Sequence, residues 1–185
     1  ERFAVGPPKM KDIRLVTLED GRIGVFTRPQ GALAAALGAP GERGSIGFTI
    51  IDDLRQLTAD RIAAAPLIRD DFIAAEWGGV NEAVLLDDGA LGVLAHIAHF
   101  DAQGIRHYYP ITFRFDPLTR TRSNFQVLLE RADLPAGTPK RADLGYVLFG
   151  GSLERHRDGT ATLYMGVGDS AVATATRRDP FLTPR

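Results

Sequence analysis

The sequence predicts an all-β fold, a β-propeller of four-stranded antiparallel blades, of which three are present. Three observations predict it. An apolar run, an Asp-Gly turn and a second apolar run recur at residues 13–26, 83–94 and 153–164. The turn glycines Gly21, Gly89 and Gly159 lie 68 and 70 residues apart, so the period is nearly constant. A third strand-like run follows each hairpin, and serial units of sequential antiparallel strands are how propeller blades are built.

Each element has its own justification. Asp-Gly between β-rich runs signals a hairpin, because the favoured two-residue turn places both central residues at positive φ. Third strands are expected at 45–51, 108–115 and 171–176, where β-branched and aromatic residues dominate. Fourth strands are expected around 61–68 and 125–129, and the third unit ends before one. The units thus run roughly over 10–70, 80–131 and 145–180 within a single domain, 1–185. Only 54–65 offers apolar residues at helical spacing. Asp116-Pro117 and Asp179-Pro180 read as turn punctuation. Interaction-type propellers repeat every 40 to 50 residues or so. The excess here sits in the connections 30–44 and 68–81, and long loops on a rigid scaffold are where binding and catalysis concentrate. Closed propellers have roughly four to eight blades. Three units therefore form part of a ring, or complete one with other chains.

Composition narrows the function. The 185 residues hold 22 Lys and Arg against 23 Asp and Glu, with no cysteine. Near-neutral charge gives no electrostatic footprint for nucleic acid or an anionic membrane. Absent cysteine removes disulfide scaffolds, thiolate metal sites and cysteine nucleophiles together. The longest apolar candidate, 31–39, is far shorter than the roughly 18 residues of a membrane span. The chain opens on Glu1-Arg2-Phe3 with neither an initiator Met nor a signal peptide, which suits the product of a cut. Its N-terminus fixes no location, and a cytoplasmic one is favoured.

Numbering each hairpin from its turn glycine gathers the chemistry. Asp12 lies nine residues before Gly21 and Glu82 seven before Gly89. Both offsets are odd, so strand alternation points both carboxylates to one sheet face. Gly150 and Ser152 hold the equivalent places in the third unit. Arg28 and His96 each lie seven after their turn glycine, and Gly31, His99 and Asp169 lie ten after theirs. Strand starts and return-strand ends lie far from the turn, so Asp12, Arg14, Arg28, Asn81, Glu82, His96 and His99 are expected at one mouth of the propeller. A pair of carboxylates there is what glycosidic bond cleavage uses. Asp12 beside Arg14 suits a structural ion pair as well as a catalyst. Trp77-Gly78-Gly79 before Asn81-Glu82 suits a sugar ring or a packed turn. His96 and His99, three apart on a strand, point to opposite faces, which disfavours a shared metal. His107-Tyr108-Tyr109 is expected to pack between blades, with one ring lining the funnel as the alternative.

Several stretches carry a family resemblance: Lys11-Asp12-Ile13-Arg14-Leu15, the run 21–31 from Gly21, Glu76-Trp77-Gly78-Gly79-Val80-Asn81-Glu82, Gly92 to Ala98, His107-Tyr108-Tyr109-Pro110 and Leu163 to Asp169. The chain resembles the last three blades of an uncharacterised bacterial family of five-bladed propellers. That family is similar in fold to the β-mannoside phosphorylases and, more distantly, to arabinanase, xylosidase and invertase propellers. The resemblance implies two earlier blades, with an Asn-Pro-type motif and a Glu-Asp-Pro-type motif that includes a principal catalytic Asp. Tyr146 stands where relatives tend to carry Asp.

These readings converge on a carbohydrate-active propeller cleaving a glycosidic bond by hydrolysis or phosphorolysis. Asp12 and Glu82 would supply acid/base or tuning carboxylates. Arg14, Arg28, Trp77, Asn81, His96, His99, His107 and Tyr108 would bind an oligosaccharide or glycoside and, through the cations, phosphate. No cofactor or metal is expected. The alternatives are a non-catalytic sugar-binding or interaction propeller, and a fragment inactive without two further blades.

Overall fold

The computed structural model describes residues 4–68 and 72–182, and the opening Glu1-Arg2-Phe3 lies outside them. The first unit folds as β1 (Lys11–Thr17), β2 (Ile23–Arg28) and β3 (Gly47–Ile51), an antiparallel three-stranded sheet. The second contains β4 (Trp77–Leu85), β5 (Leu91–Phe100), β6 (Arg106–Asp116) and β7 (Thr121–Val127). The third contains β8 (Tyr146–Arg155), β9 (Thr160–Val167) and β10 (Ala171–Arg178). A short parallel pairing of His107 with Tyr146 and Tyr108 with Val147 joins β6 to β8, so the last two units form one seven-stranded sheet. Among the described residues the sheets do not close on themselves.

Among the described residues, only the second unit has four full strands. In the first, the expected strand at 61–68 is instead helix α2 (Ala59–Ala63) followed by a single bridge between Gly47 and Leu67. Thr58 starts that helix by accepting the Arg61 N–H on its hydroxyl, and Ile62 anchors it in the core. The Ala-rich run after Gly31 is helix α1 (Ala32–Ala36), two turns at most. No helix among the described residues is long and apolar enough to cross a membrane.

The three Asp-Gly turns are built alike, but differently from the expected two-residue form. In the first, the Leu18 N–H donates to the Arg22 carbonyl at 2.8 Å and the Gly21 N–H to the Leu18 carbonyl at 3.0 Å, closing a three-residue loop. Leu86, Gly89 and Ala90 repeat this, as do His156, Gly159 and Thr160. Only the glycine adopts positive φ, at 84°, 80° and 84°. Each Asp instead accepts the N–H two residues on with its carboxylate, from Arg22, Ala90 and Thr160.

Each hairpin also carries a β-bulge at the same level. The register slips by one residue between Lys11 and Arg14, between Val80 and Glu82, and between Gly150 and Ser152. A bulge resets side-chain alternation. Counting from the turn therefore does not fix the face of Asp12, which sits in its bulge at φ 47°.

Two cores hold the units together. Phe26 from β2, Phe48 from β3 and Phe115 from β6 meet with ring centroids 4.8–5.5 Å apart, all essentially buried, and join the first unit to the second. Leu94, Leu148, Leu163 and Met165 form the second core, closed by Phe181. The Phe181 ring lies so near Gly92 that a Cβ there would come within 2.8 Å of it. Asp179, read from sequence as a turn residue, is buried, pairs with Arg155 at 2.7 Å and accepts the Phe181 N–H at 2.9 Å. Phe48→Ala is expected to cost about 3–5 kcal/mol, measured by urea denaturation, because its cavity opens between two units that cannot collapse onto it.

Candidate active site

The bulged strand starts bring charges together. Arg28 donates from Nη1 to Asp12 Oδ2 at 2.9 Å, and the His96 Nε2 stands 4.0 Å from the same oxygen. The two residues at matched positions in consecutive hairpins thus converge on one carboxylate. His96 shares its Nδ1 with Asn81 Oδ1 at 2.9 Å, and Arg14 Nε donates to the Asn81 carbonyl at 2.7 Å. The Asp12 side chain is 16% exposed, that of Arg28 7%, and His96 is fully buried. Gly79 is the floor of this network, since a Cβ there would lie 2.6 Å from Asp12 Oδ2 and 2.7 Å from Arg28 Cδ.

The network fixes the state of His96. With Asn81 Oδ1 as acceptor, Nδ1 carries the proton and Nε2 is a lone pair without a hydrogen-bond partner among the described residues. Burial, reinforced by the positive charges of Arg28 and then Arg14, pushes its pKa down to about 3. The ring is therefore a neutral acceptor at physiological pH, suited to a hydroxyl donor.

Glu82, one residue past the bulge, turns to the third unit. Its carboxylate accepts from Ser152 Oγ at 3.1 and 3.2 Å and from the Leu153 N–H at 2.7 Å. Ser152 was the position matched to Glu82 by offset, so equivalent places of adjacent units bond to each other.

Beside Asp12 and Arg28 opens a pocket of about 210 Å³ lined by Lys11, Arg28, Gln30, Arg43, Trp77, Phe100, Arg106 and Tyr108. Trp77 Nε1 donates to the Tyr108 hydroxyl at 2.9 Å and packs on Phe100, giving the pocket an aromatic wall. The Arg43 guanidinium stacks over Phe100 at 4.7 Å and Trp77 at 5.2 Å, and Arg106 over Phe100 at 5.5 Å. Four cations surround this space. Arg28 Nε and Arg106 Nε are buried without a hydrogen-bond partner. Such a set of donors suits a compact anion.

The strand face divides the remaining expectations. His96, Phe100, Arg106 and Tyr108 belong to the pocket side, whereas His99, His107 and Tyr109 alternate to the other. There His99 and His107 stack at 5.1 Å with planes 9° apart, and His107 stacks on Tyr146 at 4.5 Å. Parallel rings cannot aim their in-plane lone pairs at one ion. His107 Nε2 contacts Asp101 Oδ2 at 3.1 Å, and its Nδ1 the Tyr109 hydroxyl at 3.3 Å. Lys11, Gln30, Arg43, Phe100 and Arg106 were not singled out from sequence. Their signal was positional: Lys11 opens a strand beside Asp12, and Arg43 lies in the long 30–44 connection.

The chain is mostly β, with sheets in series and a cationic and aromatic pocket at the strand starts, and its structural neighbours are carbohydrate-active proteins. The chain belongs to the family described as a protein of unknown function (DUF1861), which matches residues 1–183. No curated protein matches it. Among solved structures it is similar to MPT-4, a mannose phosphorylase from Leishmania mexicana in complex with phosphate ion, with 36% identity and a TM-score of 0.85 over 96% of this chain and 54% of that one. It is similar to MPT-1, a GDP-Man-dependent mannosyltransferase from Leishmania mexicana, with 32% identity and a TM-score of 0.82 over 96% and 54%. A hypothetical protein from Leishmania major gives 34% identity and 0.81 over 96% and 55%. A Hadza microbial sialidase, at 15% identity and TM-score 0.50, shares the fold alone. The chain thus spans little more than half the length of the Leishmania proteins it matches.

The lowered pKa of His96 has a stability consequence with a definite sign. The unfolded ring, with pKa near 6.5, binds a proton that the folded ring refuses until about pH 3. Stability from this group is complete above 6.5 and is lost as pH falls from there toward 3, at up to about 1.4 kcal/mol per pH unit. Denaturation at stepped pH should show His96→Gln with a shallower acid-side slope than the parent, and the His96 ring protons should not titrate between pH 5 and 8.

Proposed function

We propose that this protein is a glycoside-cleaving enzyme that transfers a mannosyl-type sugar to orthophosphate at the mouth formed by its strand starts. The observation that carries the reading is the pocket lined by Lys11, Arg28, Arg43 and Arg106 beside an aromatic wall, four cations around one opening. The phosphate ion in the similar mannose phosphorylase supports it. In this reading a phosphate oxygen bonds to the anomeric carbon as that carbon's bond to the leaving oxygen breaks. The proton of monohydrogen phosphate ends on the leaving hydroxyl, and the product is a sugar 1-phosphate. Asp12, joined to the phosphate-binding Arg28, is the carboxyl group placed to pass that proton. The Tyr108 hydroxyl orients sugar hydroxyls, Trp77 packs on the ring, and neutral His96, held in its tautomer by Asn81 and steadied by Arg14, backs Asp12 from beneath the pocket. Glu82, saturated by Ser152 and Leu153, acts as the tuning carboxylate that ties the mouth to the third unit. His99 and His107 support the pocket wall from behind. The opposite side of the funnel belongs to the further blades that the family resemblance implies.

The reading is tested by incubating the protein with mannotriose with and without orthophosphate. The expected result is a sugar 1-phosphate formed only when phosphate is present, with Arg28→Ala lowering the rate at least 100-fold and Arg43→Ala raising the phosphate concentration needed for half-maximal rate. Release of free mannose at a phosphate-independent rate would make it a hydrolase. Tight mannotriose binding with no turnover would make it a binding module.

A further inference from the structure

The pocket is not the end of the cleft. Gln30 and Arg43, two of its lining residues, are also walls of a second cavity of about 470 Å³, completed by Lys9, Gly31, Glu42 and Ala74. Gln30 and Gly31 come just after β2, whose last residue, Arg28, lines the inner pocket, so the outer cavity is the next step out of the same mouth. Although Glu42 and Arg43 belong to the long connection between β2 and β3, their backbone is fixed. Three consecutive carbonyls each accept a hydrogen bond: that of Glu42 from the Gly31 N–H at 2.7 Å, that of Arg43 from Gln30 Nε2 at 2.7 Å and that of Gly44 from the Gly78 N–H at 3.3 Å. A wall set before the ligand arrives lowers the ordering cost of binding. Gly31 turns the chain at φ 60°, and a Cβ there would lie 3.8 Å from Lys9 Nζ, so the ammonium stands beside an open floor.

The two cavities differ in charge. Among the described residues, four cations and no carboxylate line the inner one, whereas the outer one sets Glu42 against Lys9 and Arg43 and has no aromatic wall. A lining carboxylate repels phosphate. Acid, base and amide together are complementary to an uncharged polyol: the carboxylate can only accept, the ammonium and guanidinium can only donate, and a sugar hydroxyl does both. We infer that the outer cavity binds a second, uncharged sugar ring of the glycoside by its hydroxyl edge, with Glu42 accepting from ring hydroxyls and Lys9 donating to a ring oxygen substituent. Arg43, stacked on Trp77 and Phe100 and lining both cavities, stands between that ring and the anion. This rests on the sugar-transfer reading for the identity of the ligand, though not for the contrast in charge between the cavities.

Calorimetric titration of the full chain with mannose, mannotriose and orthophosphate tests it. The parent should bind mannotriose more tightly than mannose. Glu42→Gln and Lys9→Met should each weaken mannotriose by about tenfold. Lys9→Met should bind phosphate like the parent, and Glu42→Gln at least as tightly, because it removes a negative charge beside Arg43. Both residues are exposed, so the variants should share the parent's unfolding transition, and Glu42→Ser and Lys9→Gln supply the same comparison should either not fold. Mannotriose affinity unchanged in either variant overturns the site, and so does a parent that binds mannose as tightly as mannotriose. Weaker phosphate binding by Lys9→Met with mannotriose unaffected would make the cavity a second anion site instead. Phosphate binding by the parent, with mannotriose indifferent to both variants, would sink the outer site alone. A mannotriose affinity that needs Glu42 and Lys9, in a parent that binds no phosphate, would sink the phosphate-transfer reading and keep the site.

Discussion

Asp12 Oδ2 is the point on which the described mouth is organised. It receives the guanidinium of Arg28 from its own hairpin and faces the imidazole of His96 from the next, so one oxygen links two units across their seam. The carboxylate reaches that point only because the strand bulges and Asp12 takes a left-handed backbone conformation, which Asp tolerates better than most residues. Everything nearby follows from the charge balance there. Arg28 is held by Asp12 through Nη1, reaches the Arg43 carbonyl with Nη2 at 3.5 Å, and lines the pocket between them. Gly79 has no side chain because the ion pair fills the space where one would stand. Removing either partner of such a buried pair leaves the other desolvated and uncompensated, a situation costing several kcal/mol.

The polar seam is tolerated because apolar packing surrounds it. The Phe26, Phe48 and Phe115 cluster supplies the non-directional part of the attachment between the first two units, and the Leu148 and Met165 cluster does so for the last two. Directional bonds then set register within each seam: Asp12 with Arg28 and His96 in one, Glu82 with Ser152 and Leu153 in the other. Each unit is thus joined to the next by grease for energy and by a carboxylate for alignment.

Much of this was legible before the coordinates. The constant spacing of Gly21, Gly89 and Gly159 marked the hairpins β1–β2, β4–β5 and β8–β9, and the offset of seven marked Arg28 and His96, which both approach Asp12. What escaped was what one residue can hide. A bulge adds a single position, and neither Asp12-Ile13 nor Asn81 announces it in letters, so alternation counted through it assigns faces wrongly. The turns kept the predicted residues but a different loop, because an Asp carboxylate that caps the N–H two residues on needs no positive φ of its own. The strand expected at 61–68 lost to Thr58, whose hydroxyl starts a helix. The pocket cations were invisible as a group, because Lys11, Arg43 and Arg106 come from a strand start, a loop and another unit.

The identical construction of the three hairpins also bears on how the chain folds. In each, the first two strands are neighbours in sequence and are closed by a turn whose hydrogen bonds lie within five residues. Such hairpins form without waiting for distant partners, so the slow part of assembly falls on the seams, above all the meeting of Phe26 and Phe115 from opposite sides of a long connection. A sequence repeated about every seventy residues thereby divides one large topological search into three small ones and two dockings.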